Sequence, residues 1–130
     1  MSIVFDENNR IFRLDAGDSS YAFLIEPNGY VAHLYFGGRL NTTDLRYLYR
    51  RTPRAFSPNP ADGTAEDSRD VIPQEYSTSG IGDYRVASAK VRRTDGYNAT
   101  DMKYRSHRIY RRKPAIAGLP ATFGSEEEVE

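Results

Sequence analysis

The first forty residues alternate short apolar runs with turn-forming residues, and this alternation limits the chain to few folds. Runs rich in β-branched and aromatic side chains are typical of strands. Four such runs are predicted as strands, at residues 3–5, 11–14, 21–25 and 30–36. Polar turns separate them, at residues 6–9, 15–19 and 27–29. No 3.6-residue apolar period competes with this pattern, so the sequence predicts an antiparallel meander that ends at Gly37-Gly38.

The residues that follow the meander contain one short helical signal and one long irregular segment. Leu45, Leu48 and Tyr49 have helical spacing, and Thr42 or Thr43 precedes them as a cap, so residues 44–49 are predicted as a helical turn. Residues 50–73 have no periodicity and hold four of the seven prolines. A segment of this kind inside a domain is usually functional or disordered, and we interpret it as the most informative loop of the chain.

A second strand pair is predicted in the last third of the chain. Residues 84–92 and 100–110 flank the hairpin signal Thr94-Asp95-Gly96. The apolar parity shifts within the second run, which predicts a β-bulge near Ser106. The acidic residues 126–130 are interpreted either as a solvated tail or as the first residues of a further strand.

Composition leaves the chain with a small core. Val, Ile, Leu and Phe together number 26 of the 130 residues, at the margin of what compact folding requires. Ten tyrosines argue against disorder, because a tyrosine ring buries much area while its hydroxyl stays wet. We therefore expect one face to await a partner, and we expect the chain to be stable only when it packs on something else.

Charge and hydropathy exclude several classes of partner. Eighteen basic residues balance eighteen acidic ones, so no nucleic-acid partner is expected. The basic and aromatic residues within 103–113 are explained equally well by a solvated strand edge. No run of 18 apolar residues occurs, and the amino terminus has no apolar stretch, so neither a membrane span nor a secretory signal is expected.

The sequence gives little support for a metal site or for a catalytic nucleophile. The chain has no cysteine, and we interpret His33 and His107 as hydrogen-bonded structural groups. No cofactor is therefore expected. Most acidic residues lie in turns, where Asp bonds the local backbone, so no catalytic pair is assigned. The glycines of Gly80-Ile81-Gly82 precede a predicted strand and not a helix, which favours a tight turn over a phosphate site.

Five collinear motifs carry a resemblance to one family. They are Arg54-Ala55-Phe56-Ser57-Pro58-Asn59-Pro60, Pro73-Gln74-Glu75-Tyr76 with Gly82-Asp83-Tyr84-Arg85, Ser106-His107-Arg108-Ile109-Tyr110, Lys113-Pro114, and Gly118-Leu119-Pro120-Ala121-Thr122. In order and spacing they resemble the amino-terminal region of bacterial α-galactosidases of glycoside hydrolase family 36. Tyr30, Ala32-His33 and Gly37 fit as well.

The resemblance implies a large retaining enzyme that removes terminal α-galactose from melibiose and raffinose. Residues 1–130 are then the opening part of a supersandwich-like antiparallel β-sandwich, and the catalytic (β/α)8 barrel lies outside them. The family's nucleophile occurs in a Lys-Trp-Asp type motif, and this chain has no tryptophan. The resemblance thus assigns no catalytic residue here, and it implies a cytoplasmic homotetramer without a cofactor.

The resemblance also gives a role to the irregular loop. In tetrameric relatives this region approaches a neighbouring subunit's active site, so Arg54, Phe56 and Asn59 are implied contributors in trans to galactose binding. Arg54 and Asn59 are suited to form hydrogen bonds with sugar hydroxyl groups, and Phe56 is suited to anchor the loop in apolar surroundings. Pro53 stands where relatives carry an acidic residue, which leaves quaternary packing, or packing on the chain's own sheet, as alternative roles.

Two other readings remain open from the sequence. One is a free-standing carbohydrate-binding or protein-interaction β-module without catalysis. The other is an independent hydrolase, which requires a catalytic carboxylate within these residues.

Overall fold

The four predicted apolar runs form four neighbouring strands of one antiparallel sheet. The computed structural model describes residues 2–52, 68–110 and 117–120. Its strands are β1 (Ser2–Asp6), β2 (Ile11–Ala16), β3 (Ser19–Ile25) and β4 (Val31–Gly38), and they lie in sequence order in the sheet. The predicted meander and the all-β antiparallel fold class are confirmed.

The turns between the strands follow their local chemistry. The Asp6 carboxylate accepts hydrogen bonds from the backbone and side chain of Asn9, at 3.1 and 2.9 Å, and these bonds lower the pKa of Asp6. The predicted break at residues 15–19 is too long. Asp15 still belongs to β2 and Ser19 already to β3, because Gly17 adopts a φ of +56° and closes a tight turn between them.

One face of the sheet carries the aliphatic core. Ile11 of β2 lies opposite Leu24 of β3, which lies opposite Ala32 of β4, and none of the three is exposed. Leu45 and Ile72, from outside the strands, complete this buried cluster. Full burial of a Leu or Ile side chain contributes about 1.5–3 kcal/mol to stability, so this buried row stabilises the sheet.

The opposite face of the sheet is aromatic. Phe12 stacks on Phe5 and on Phe23, with ring centroids 4.3 and 4.9 Å away. The His107 ring packs edge-on against Phe5 and Phe12, with ring centroids 4.6 and 4.7 Å away. Towards β4 this face is open, and Phe36 is 72% exposed.

Strand β4 contains a register shift, and a further segment pairs with β4 beyond it. The register with β3 shifts between Ala22 and Phe23, which pair with Tyr35 and His33 and leave Leu34 as an extra residue. Beyond it, Ala32 forms an antiparallel bridge with Gln74. The backbone bonds from His33 N to Pro73 O (2.7 Å) and from Glu75 N to Val31 O (2.9 Å) fix this pairing. Residues 73–75 therefore extend the sheet past β4.

The predicted helical turn is present as a 3-10 helix over Arg46–Leu48. The predicted cap by Thr42 or Thr43 is wrong, because the N-cap of this helix is Leu45 and no side chain bonds there. Thr42 Oγ1 instead accepts a hydrogen bond of 3.0 Å from the backbone N of Asp44. Leu45, just before the helix, is buried in the core.

The predicted hairpin of residues 84–92 and 100–110 is wrong. Its turn exists, closed by a 2.9 Å bond from Gly96 N to Arg93 O, but no strand ladder follows it. The two flanks of the turn form hydrogen bonds with residues 77–79 and not with each other. Ala89 N donates to Ser77 O at 3.2 Å, and Thr100 N donates to Ser79 O at 3.0 Å. The β-bulge predicted near Ser106 is wrong for the same reason, because no strand runs there.

Candidate functional site

The loop residues assigned to galactose binding, Arg54, Phe56 and Asn59, lie outside the described residues, as does Pro53. The acidic residues 126–130 lie outside them too. The structure does describe the residues on either side of segment 53–67. These flanking residues carry a set of buried polar contacts, and they form the candidate site.

The amino-terminal flank is held by a buried carboxylate. Glu26 is 0% exposed, and its Oε2 accepts hydrogen bonds from Arg51 Nη2 at 2.9 Å and from the Tyr49 hydroxyl at 3.2 Å. Burial, together with the negative charge of Glu26, raises the pKa of Tyr49. An ion pair shielded from water in this way resists separation, because a lone buried charge is strongly unfavourable.

Glu26 sits at the start of the turn that joins β3 to β4. Its backbone N bonds to Tyr30 O at 2.9 Å, and its carbonyl accepts Gly29 N at 2.9 Å. Gly29 has a φ of +90°, a conformation that suits glycine. The Arg10 side chain also reaches the Glu26 carbonyl, at 3.4 Å. The carboxylate that holds Arg51 is thus mounted on a tightly bonded turn.

The carboxyl-terminal flank is held at the other end of the same turn. The Arg69 guanidinium lies 5.1 Å from the ring centroid of Tyr30, which is 2% exposed. Arg69 Nη1 donates to Ile81 O at 2.8 Å. The Tyr30 hydroxyl donates to Asp101 Oδ1 at 2.8 Å, and burial together with this carboxylate raises the pKa of Tyr30. Cation–π contacts of this kind strengthen when they are desolvated.

A second ion pair, between the buried Asp83 and the exposed Arg85, fixes the backbone of Arg69. Asp83 is 7% exposed and pairs with Arg85 through two bonds, Nη2 to Oδ2 at 2.7 Å and Nε to Oδ1 at 2.9 Å. Burial opposes ionisation of Asp83, but the bonds from Arg85 outweigh it and lower the pKa of Asp83. The Arg69 carbonyl accepts from Arg85 Nη2 at 2.8 Å and from Gln74 Nε2 at 3.1 Å.

A cluster of ionisable side chains also occupies the outer edge of the sheet. His33 Nδ1 lies 2.9 Å from Glu75 Oε1, and the Tyr21 ring centroid lies 5.3 Å from that of His33. Burial and the neighbouring Glu75 raise the pKa of Tyr21. The other histidine, His107, bonds to the Tyr104 hydroxyl at 2.6 Å. Both histidines are thus hydrogen-bonded, as the sequence interpretation expects.

A shallow cleft of about 210 Å³ opens beside this cluster, between residues 74–76 and 102–104. Tyr30, Tyr76 and Tyr104 contribute to its walls.

Within the described ranges, no three His, Asp or Glu side chains come together as a metal site. In the same part of the chain, no helix is long and apolar enough to cross a bilayer.

Sequence reasoning missed Glu26, Arg51, Arg69 and Asp83 as a connected set. The only local signal was the placement of Glu26 directly before a Pro-Asn-Gly turn, where an acidic residue passes for ordinary turn chemistry. The partners of Glu26 lie 23 and 25 residues away in the chain, and no local pattern links them.

The described fold and contacts define an all-β antiparallel domain in which ion pairs and hydrogen bonds hold residues on either side of segment 53–67. Residues 29–130 match the model of the glycosyl hydrolase family 36 N-terminal domain, and the chain belongs to this family. The resemblance inferred from the five motifs is thereby confirmed.

Three relatives illustrate the similarity. Alpha-galactosidase 1 of Pediococcus pentosaceus is 43% identical over 126 residues, which are 96% of this chain and 17% of the relative. The crystal structure of alpha-galactosidase AgaB from Geobacillus stearothermophilus is 37% identical with a TM-score of 0.82, over 96% of this chain and 17% of that one. A variant of AgaA from the same organism, in complex with raffinose, is 38% identical with a TM-score of 0.76, over 88% and 16%. The chain thus spans about a sixth of the length of these relatives.

Proposed function

We propose that this chain is the amino-terminal β domain of a retaining α-galactosidase, which releases terminal α-galactose from oligosaccharides such as melibiose and raffinose. The observation that carries the proposal is the match of nearly the whole chain to about a sixth of proteins named alpha-galactosidases, together with the match to the family's N-terminal domain model. The raffinose bound to the AgaA variant supports the substrate class. The enzyme acts in the cytoplasm and needs no cofactor.

The division of labour follows from the chemistry of the reaction. Retaining glycosidases use two carboxyl groups about 5–5.5 Å apart, one as nucleophile and one as acid and base. We assign both to a (β/α)8 barrel outside residues 1–130. The buried carboxylates of the described residues have other tasks, since Glu26, Asp83 and Asp15 are each paired with an arginine. The β domain is therefore a scaffold for the barrel and for assembly of the oligomer.

The loop gives the domain a second task. We assign Arg54, Phe56 and Asn59 to the galactose site of a neighbouring subunit in a homotetramer. The anchored flanks of segment 53–67 support this assignment, because a substrate-binding loop must be held in place by the scaffold that carries it.

Subunit mixing tests the assignment in trans. The complete polypeptide that carries these residues is made in two inactive forms, one with Arg54, Phe56 and Asn59 changed to Ala and one with the barrel nucleophile removed. In a mixed oligomer, an intact barrel then receives an intact loop from its neighbour. We expect galactose release from raffinose to return on mixing, and each form mixed with itself serves as the control.

Full activity of the loop variant alone would contradict the assignment of the three residues. An impaired loop variant whose activity does not return in demonstrated mixed oligomers would place the loop in its own subunit's site. The free-standing carbohydrate-binding module is the less favoured function, because the relatives that match this chain extend far beyond it.

A further inference from the structure

We propose that the cleft between residues 74–76 and 102–104 is a carbohydrate-binding site of the β domain, which takes one sugar ring of an oligosaccharide. The choice of a galacto-oligosaccharide as the occupant rests on the proposed function. The site itself rests on the support, the aromatic walls, the polar groups and the size of the cleft.

Both walls of the cleft are fixed to the start of β4. Glu75 N donates to Val31 O at 2.9 Å, and Tyr104 N donates to Gly29 O at 2.8 Å. Gly29 and Val31 lie on either side of Tyr30, so neighbouring points of one backbone hold the two walls. A site supported in this way is preformed, and a preformed site loses little conformational freedom when a ligand binds.

Tyrosine rings supply the apolar surface of the cleft. Tyr76 is 65% exposed, Tyr104 is partly exposed, and the buried Tyr30 also contributes to the lining. A sugar ring carries C–H groups on its faces, and these groups pack against the negative face of an aromatic ring. An exposed ring contributes little to a core, so the position of Tyr76 in the wall suits a stacking contact with a ligand.

The same walls carry groups that accept and donate hydrogen bonds. Glu75 Oε1 lies 2.9 Å from His33 Nδ1, and Glu75 also bonds to Tyr21. An ionised carboxylate offers about four acceptor positions, so Glu75 keeps capacity for ligand hydroxyls. On the other wall, the Lys103 side chain is 46% exposed, and its ammonium has three donors. Asp101 Oδ2 lies 3.7 Å from this ammonium, beyond the usual hydrogen-bond range.

Charge and size favour a neutral sugar ring over other ligands. Among the described residues that line the cleft, Glu75 and Lys103 carry the charges, one of each sign. The cleft therefore has no net attraction for an anion or a cation. Its volume of about 210 Å³ is below the roughly 300–1,000 Å³ of sites that hold drug-sized ligands, so one ring fits and further rings extend into solvent.

Raffinose binding to the complete polypeptide tests the site. The barrel nucleophile is removed so that the raffinose is not hydrolysed. Raffinose should then slow amide hydrogen exchange in peptides that cover residues 74–76 and 102–104. Tyr76→Ala should raise the raffinose concentration for half-maximal protection on the order of tenfold, because the stacking surface is lost.

Two further variants accompany Tyr76→Ala. Tyr97 is 57% exposed and is not among the described residues that line the cleft, so Tyr97→Ala is the matched control and should leave the protection unchanged. Lys103→Met keeps most of the side-chain length but removes the donors, and it should weaken binding less than Tyr76→Ala. All three side chains are exposed, so these changes should leave the domain folded.

Protection of both segments that Tyr76→Ala weakens and Tyr97→Ala preserves would support the cleft. No protection by raffinose, or equal protection in Tyr76→Ala and its parent, would overturn it. That result would leave the proposed function standing if the active complete polypeptide releases galactose from raffinose. Absence of this release would instead overturn the proposed function.

Discussion

The hydroxyl of Ser20 in β3 donates a 2.6 Å hydrogen bond to the carboxylate of Asp15, its cross-strand partner in β2. Asp15 is 2% exposed, and it also accepts hydrogen bonds from Arg13 Nε and Ser2 Oγ, each at 3.2 Å. Burial opposes its ionisation, but these bonds and the charge of Arg13 prevail and lower the pKa of Asp15. A charged group is thus built into the sheet beside the core.

Asp15 should make stability depend on acid pH. Because its pKa is lower in the folded than in the unfolded chain, its contribution is full above about pH 4 and is lost as the pH falls through the folded value. Unfolding midpoints of wild type and Asp15→Asn, measured from pH 5 downwards in the complete polypeptide, should converge as the pH drops. A difference that stays constant across this range would contradict the pKa assignment.

Gly80 should tolerate no side chain. It has a φ of +90°, and a Cβ there would lie 2.4 Å from the Ala99 Cβ and 2.6 Å from the Ala99 Cα. Gly96 also has a positive φ, +84°, but open space around it, so Gly96→Ala isolates the backbone strain. We expect Gly80→Ala to cost about 1–3 kcal/mol more in the free energy of unfolding than Gly96→Ala, from overpacking. Equal losses would show that Ala99 moves aside freely.

Leu24 should be the most sensitive core position of β3. It is fully buried opposite Ile11 and Ala32, so Leu24→Ala should lower the free energy of unfolding by about 2–5 kcal/mol through lost burial and a cavity. Leu119 is 63% exposed, and Leu119→Ala is the matched control. Denaturant titration of both variants measures the difference, and a Leu24→Ala loss no larger than that of the control would refute the placement of the core.

The meander was predictable because its determinants are local. Alternating side chains define the strands, and Gly17 and Gly29 close the turns on either side of β3. The sequence alone could not show that the predicted hairpin of residues 84–110 would not form. The alternating pattern and the turn on which that prediction rests are both present. The flanks of that turn find partners at Ser77 and Ser79, and sequence alone does not rank such competing contacts.

The candidate site was likewise predictable only in part. The resemblance proposes Arg54, Phe56 and Asn59 through their motif, and these residues stay a prediction. The pairing of Glu26 with Arg51 depends on how the sheet brings distant segments together. Long-range ion pairs leave no periodic trace in a sequence.

Glu75 should contribute to the raised pKa of Tyr21. Burial is the larger cause of the raised pKa of Tyr21, and the hydrogen bond and charge of Glu75 add to it. Glu75→Gln removes the charge, so the pKa of Tyr21 should fall and still remain above its ordinary value. Absorbance titration near 295 nm, with Tyr21→Phe subtracted in each background, isolates this tyrosine. An unchanged midpoint would rule out the contact with Glu75.

The central claim is that residues 1–130 are the β domain of an α-galactosidase whose chemistry lies elsewhere in the polypeptide. The most direct test is galactose release from raffinose, measured in parallel for the complete polypeptide and for residues 1–130 alone. We predict release by the complete polypeptide and none by residues 1–130. Release by residues 1–130 alone, or none by the complete polypeptide, would contradict the claim.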